Sequence, residues 1–187
     1  MKNYTLILAS GSPRRKQILA EAGISFTVKP ADINEENYPS NLSVYKVPAY
    51  LAKLKAEAIT TSGSELVLAA DTVVIIDNKI LGKPLDSNDA FTILKQLSGR
   101  MHEVVTGVCI KAQDKTIVFS ETTEVYFKAL TEEEILFYID KFKPFDKAGG
   151  YGIQEWVGMI GVEKINGSFY NVMGLPIATI YQHLKTF

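Results

Sequence analysis

The stretch Glu65 to Asp77, ELVLAADTVVIID, is a nearly continuous apolar run interrupted by one acid, Asp71. Its length, its β-branched residues and the Asn78 turn that follows favour a strand over a helix. A carboxylate inside such a strand must be hydrogen-bonded, metal-bound or shifted in pKa, because an unpaired buried charge is strongly unfavourable. Two readings of Asp71 are open: an acid satisfied by backbone N–H groups at a strand end or bulge, or a functional group. Ile80 to Pro84, ILGKP, turns the chain back and places Lys83 directly after a glycine, so that Asp71 and Lys83 fall on successive arms of a hairpin.

A second constraint lies near the start. The apolar run Tyr4 to Ala9 reads as a buried strand, Ser10-Gly11-Ser12 as a loop, and Pro13 as the first residue of a helix whose apolar stripe includes Ile18 and Leu19. Ser12 suits the N-cap, and Pro13 the position where a missing N–H costs nothing. Arg14 and Arg15 then stand at the positive end of the helix dipole, where basic side chains do not help the helix. A bound anion such as phosphate accounts for them better than helix stability does. Two ordinary surface arginines on a solvated helix start are the competing reading.

Composition narrows the function classes. With 187 residues, 47% of them hydrophobic, the chain has the length for one domain with a sizeable core, the whole of 1–187, with room for two lobes. Twenty basic against 21 acidic residues leave a net charge of -1, which gives no electrostatic footprint for wrapping nucleic acid. The single Cys109 lies in an alternating run and reads as a small core hydrophobe, which excludes a disulfide framework within one chain. The first residues carry an apolar run too short for a signal peptide, and no later stretch is long enough to span a membrane, so a cytoplasmic protein is expected.

The remaining segments alternate between types. Gly23 is a helix stop, and Ser25 to Lys29 a short strand. Ala31 to Asn41 is a polar loop carrying Asp32, Glu35 and Glu36, and taken alone it reads as a solvated acidic loop rather than a site. Leu42 to Thr61 is the longest helical candidate, regular from about Pro48, with Lys53 and Lys55 on it; spacing alone singles out neither lysine. Ser87 to Ser98 is a helix with Phe91, Leu94 and Leu97 inward, and Glu103 to Ala112 and Thr116 to Ala129 form a long hairpin. His102 reads as a surface or hydrogen-bonding residue and His183 as a weaker candidate still. Thr131 and Glu134 make a capping box ahead of Ile135, Tyr138 and Ile139. Lys143 to Gln154, KPFDKAGGYGIQ, holds Gly149, Gly150 and Gly152 between Asp146, Lys147 and Gln154, a density that admits a ligand close to the backbone or serves only as a flexible loop. Val162 to Ile165 and Phe169 to Met173 flank Asn166-Gly167 as a hairpin, and Gly174-Leu175-Pro176 opens the last helix.

The residues left outside the core are cations and carboxylates. They suit a polyphosphate whose charge is met by Arg and Lys and by a divalent metal on carboxylate oxygens. No Cys/His cluster for zinc and no Ser/His/Asp signature is present.

Seven blocks, ASGSPRR (9–15), LAKLKA (51–56), AADTVV (69–74), GKP (82–84), SGRMHEVVTGV (98–108), DKAGGYGIQ (146–154) and NVMGLP (171–176), together resemble the Maf family in order and over nearly the whole chain. The resemblance implies an α/β fold similar to that of the inosine triphosphate pyrophosphatases, a mixed twisted sheet with flanking helices and two lobes around a cleft. It implies metal-dependent hydrolysis of a nucleoside triphosphate to the monophosphate and pyrophosphate, with Mg²⁺ or Mn²⁺ as cofactor. The DKAG-YGIQ form is similar to the branch acting on dTTP and UTP, modified forms included. Carried over position by position, Ser10, Arg14, Arg15, Lys55 and Lys83 would bind phosphate, Glu35 and Asp71 would hold the metal with Asp71 as general base, and Gln154 would face the base or metal site. Where a glycine usually follows that glutamine, Glu155-Trp156 stands, which bears on the pocket edge. A nucleotide-sensing regulator of septum formation is the rival function. No nucleic-acid or membrane partner is expected, and a homodimer is left open.

Overall fold

The computed structural model describes residues 4–187. Its strands are β1 (Thr5–Leu8), β2 (Thr27–Val28), β3 (Glu65–Ile76), β4 (Lys79–Leu81), β5 (Met101–Lys111), β6 (Thr116–Phe127) and β7 (Val162–Asn166). The helices are α1 (Pro13–Glu21), α2 (Val47–Glu57), α3 (Ser87–Leu97), α4 (Glu132–Phe142), α5 (Trp156–Gly161), α6 (Phe169–Val172) and α7 (Ile177–Leu184). The strands form a seven-stranded sheet in the order β2-β1-β3-β5-β6-β7, with β4 added to β3. β1 runs parallel to both β2 and β3, whereas β3/β4 and β6/β7 are antiparallel, so the sheet is mixed and the α/β expectation holds. Among the described residues, no helix is long and apolar enough to cross a membrane.

The chain divides into two compact units, and β3, β5 and β6 each pass from one into the other. The first holds the residues through Asp71, Thr106–Glu121 and Gly174–Phe187. Its core includes Ile7, Ala9, Val67, Ala69 and Cys109 from the strands and Ala52, Ala56 and Ile59 from α2 and the residues just after it. The small residues have a reason: a Cβ on Gly107 of β5 would lie 2.1 Å from the Ala49 nitrogen, so the first turn of α2 rests on bare strand backbone. Lys111 Nζ donates to the Ala56 and Ile59 carbonyls and closes the end of that helix. Cys109 is fully buried, and burial pushes its thiol up to about 11, as a core hydrophobe requires.

The second unit holds Thr72–Val105 and Thr122–Met173. Asp77 and Asn78, at φ 51° and 58°, make the two-residue turn between β3 and β4. Gly149, at φ 67°, packs so closely on Val74 that a Cβ would come within 2.7 Å of it. The capping box of α4 is complete: Glu134 N–H donates to Thr131 Oγ1 and Thr131 N–H to Glu134 Oε2.

Several expectations need correction. The helix expected to run to Thr61 ends at Glu57, after a short 3-10 turn over Val44–Lys46. In α3, Ile93 faces the core with Leu94 and Leu97 while Phe91 is only half-buried. Phe169 to Met173 is not the second arm of a hairpin. Ser168 Oγ accepts from Asn171 N–H and starts α6, and Asn171 Nδ2 is drawn inward to the Val104 carbonyl and Thr123 Oγ1. β7 pairs instead with β6. His102 follows the hydrogen-bonding alternative of its reading: it is 1% exposed, edge-on to Phe127 and Tyr151, with Nε2 2.7 Å from the Tyr151 hydroxyl.

Candidate active site

In the first unit the site is built at the end of β1. Ala9 N–H still bonds the Leu68 carbonyl of β3, and the chain then leaves the sheet through Ser10. Ser10 is 8% exposed, and its hydroxyl accepts from Ser12 N–H and from Arg15 Nη1 at 3.1 Å. Arg15 Nε donates to the Gly174 carbonyl, at the entry to α7, so its guanidinium is tethered from two sides. Ser12 occupies the N-cap of α1 as expected, but its side chain makes no capping bond. No acid stands in the first turn of α1 to answer the helix dipole or Arg14 and Arg15.

Asp71 lies on β3 and is 7% exposed. The α/β packing that buries the alanine face of α2 aims Lys55 at it, with Nζ 2.6 Å from Asp71 Oδ1. The same ammonium lies 2.6 Å from Glu35 Oε1, which hangs from the acidic loop and stays half-exposed. Burial lowers the affinity of Arg15 for its proton; Asp71 and Glu35 oppose that shift and Arg14 reinforces it, so Arg15 feels both carboxylates. Ser10, Arg14, Arg15, Glu35, Lys55 and Asp71 thus form one cluster, three cations against two carboxylates.

This donor set fits a hard divalent cation. Two carboxylates already converge on a single positive charge, and an ion such as Mg²⁺ binds through one or two carboxylates while keeping water and phosphate oxygens. Among the described residues no three His, Cys, Asp or Glu side chains gather to hold a metal by themselves, so an ion held by Glu35 and Asp71 would need further ligands from outside this set.

Lys83 and Gln154 belong to the second unit. β4 pairs β3 only as far as Leu81, so Lys83 stands beyond the ladder, exposed, between two residues that touch the glycine turn. The Gly82 carbonyl accepts from Gly149 N–H at 3.0 Å, and Pro84 packs on Gly150. Gln154 follows that turn. Its Oε1 is buried and has no hydrogen-bond partner among the described residues, a state that costs about 1–3 kcal/mol until a donor arrives. Three residues here carry partners that the sequence did not reveal. Lys147, 8% exposed, pairs with Asp146 at 2.7 Å and Glu155 at 3.1 Å, and the Tyr138 hydroxyl donates to Glu155 Oε2. Burial first, and then the bond to Glu155, push the Tyr138 phenol up, so it remains a donor. Only the odd pairing of Glu155 with an otherwise glycine-prone position hinted at this.

The chain matches the profile of the family described as Maf-like protein over residues 5–187. A protein named dTTP/UTP pyrophosphatase from Parabacteroides distasonis is 49% identical over 189 residues, covering 100% of this chain and 98% of its own length. One of the same name from Porphyromonas gingivalis is 49% identical over 191 residues, covering 100% and 96%. A solved structure of a HAM1 protein from Coxiella burnetii aligns with a TM-score of 0.48 at 16% identity, over 66% of this chain and 73% of that one. A match along all but the first residues, with relatives this similar over their full lengths, leaves one conclusion: the chain belongs to the Maf-like protein family.

Proposed function

We infer that this protein hydrolyses pyrimidine nucleoside triphosphates, dTTP and UTP and modified forms of them, at the α-phosphorus, releasing the monophosphate and pyrophosphate. The names of its relatives support the reaction class, and the observation that carries it is the buried Asp71 carboxylate sharing the Lys55 ammonium with Glu35. Glu35 and Asp71 would hold a divalent ion, Mg²⁺ or Mn²⁺, which when bound neutralises phosphate charge. Asp71 takes a proton from the attacking water, a new O–P bond forms at the α-phosphorus, and the bridging P–O bond breaks in line. Arg14, Arg15 and the Ser10 hydroxyl bind phosphate oxygens, Arg15 in the orientation its tethers give it. Lys55 and Lys83 meet the charge that grows on departing pyrophosphate. Gln154, with its unpaired oxygen, faces the base. The whole chain 1–187 works as one catalytic domain inside the cell.

Incubation with UTP and Mg²⁺ tests the reading. One pyrophosphate is expected per UMP formed, ceasing in excess EDTA and returning with Mg²⁺. Asp71→Asn is expected to lower turnover about 10³-fold while a non-hydrolysable UTP analogue still binds. A nucleotide sensor would bind the analogue and release nothing, and release of inorganic phosphate would place the cleavage at another bond.

A further inference from the structure

Residues Gly152 to Glu155 form a tight turn closed by the Glu155 N–H on the Gly152 carbonyl at 3.0 Å, with Gln154 at its third position. One phenol grips both ends of that turn. The Tyr138 oxygen accepts from Gly152 N–H at 3.0 Å and donates to Glu155 Oε2. The other Glu155 oxygen meets Lys147, itself buried and paired with Asp146 at the far side of the glycine segment. Gly152 lets the amide lie directly against the turn, since a Cβ there would come within 2.9 Å of Gln154 Nε2 and 3.2 Å of Oε1. The backbone turn that carries the carboxamide is therefore fixed to α4, and the amide oxygen has no partner among the described residues.

We propose that Tyr138, Glu155 and Lys147 are positioning residues that hold the Gln154 carboxamide in one orientation, its oxygen offered to the ring N–H of a uracil or thymine base. The inference rests on the reading of the chain as a pyrimidine nucleotide pyrophosphatase and deepens it. Uracil and thymine carry a donor between two carbonyls, whereas cytosine presents an acceptor at that ring nitrogen, so an amide unable to turn over meets cytosine with acceptor against acceptor. A freely rotating amide would serve both. Fixing the turn is what converts Gln154 from a contact into a discriminator.

The test measures kcat and KM for UTP and CTP, and equilibrium binding of non-hydrolysable analogues of both, in the full-length protein and in Tyr138→Phe, Glu155→Gln, Gln154→Ala and the double variant Gln154→Ala/Tyr138→Phe. Tyr138→Phe and Glu155→Gln are each expected to raise KM for UTP about tenfold, to hold kcat within about threefold, and to shrink the preference for UTP over CTP about tenfold. Adding Tyr138→Phe to Gln154→Ala is expected to change KM by less than about twofold, because the phenol acts through the amide; a merely structural role would multiply the two losses. Unfolding midpoints show which variants are folded, and Glu155→Gln carries the test where Tyr138→Phe is not. Independent, multiplying effects, an undiminished UTP preference in both single variants, or a parent protein that binds the two analogues equally would overturn the positioning role. A parent that prefers the UTP analogue, loses that preference in both variants and yet releases no pyrophosphate would overturn the catalytic reading alone.

Discussion

Burial to 1% exposure pulls the His102 imidazole down to about 3, its Nε2 hydrogen-bonded to the Tyr151 hydroxyl at 2.7 Å and its Nδ1 without a partner among the described residues. The folded protein therefore keeps this ring neutral while the unfolded chain takes up a proton below its ordinary value near 6.5. With more protons on the unfolded side, stability rises with pH across that window: the contribution is complete above about 6.5 and is lost as pH falls toward 3. Urea unfolding between pH 6.5 and 4, comparing the parent with His102→Phe, is expected to show a slope difference of about one proton, about 1.4 kcal/mol per pH unit. Identical slopes would mean that the ring is solvated. Arg15 makes a second case at this scale. A lysine cannot donate to the Gly174 carbonyl and the Ser10 hydroxyl from one rigid plane, so Arg15→Lys is expected to raise KM for UTP about tenfold, read in steady-state kinetics, while charge is conserved.

At the scale of elements, what could be read in advance is what is local. α1 ends as Gly23 demanded, with Gly23 N–H on Ala20 and Ile24 N–H on Leu19, a Schellman motif that five residues suffice to specify. The α4 capping box is equally local, and Thr131→Ala is expected to cost about 1 kcal/mol and lower the unfolding midpoint by about 2–4 °C, with Thr131→Ser restoring most of it. The misread elements depend on partners far away in sequence. The α6 turn places the Asn171 amide on the Val104 carbonyl and Thr123 Oγ1, and no pattern within Phe169 to Met173 announces those partners. The site divides in the same way. Arg14 and Arg15 were marked by their place at a helix start, and Asp71 by its apolar surroundings. Lys55 was one of several helix lysines until family resemblance picked it out, because its distinction, two carboxylates at 2.6 Å, comes from other segments. Tyr138 read as one more apolar-stripe residue, and its hydroxyl became visible as a structural clamp only with the Gly152 turn in place.

Across the whole molecule, the chain crosses between the two units four times, three of them within strands, at Asp71/Thr72 in β3, Val105/Thr106 in β5 and Glu121/Thr122 in β6, and once between α6 and α7 at Met173/Gly174. Domains that unfold separately are joined by exposed linkers with few contacts across them. Here three of the four joints are strand backbone, and Ala70, Asp71, Val104, Val105 and Thr106 around two of them are buried. Unfolding of one unit therefore cuts β3, β5 and β6 part-way along their own length, which predicts a single cooperative transition. Two glycine variants probe it from opposite sides. Gly107→Ala drives a methyl into the Ala49 and Pro48 backbone of the first unit, and Gly149→Ala forces both a left-handed φ and a collision with Val74 in the second. Each is expected to cost about 3 kcal/mol or more and to lower the same calorimetric transition, with van't Hoff and calorimetric enthalpies remaining equal. Two resolved transitions, one moved by Gly107→Ala and the other by Gly149→Ala, would show that the continuous strands do not couple the units.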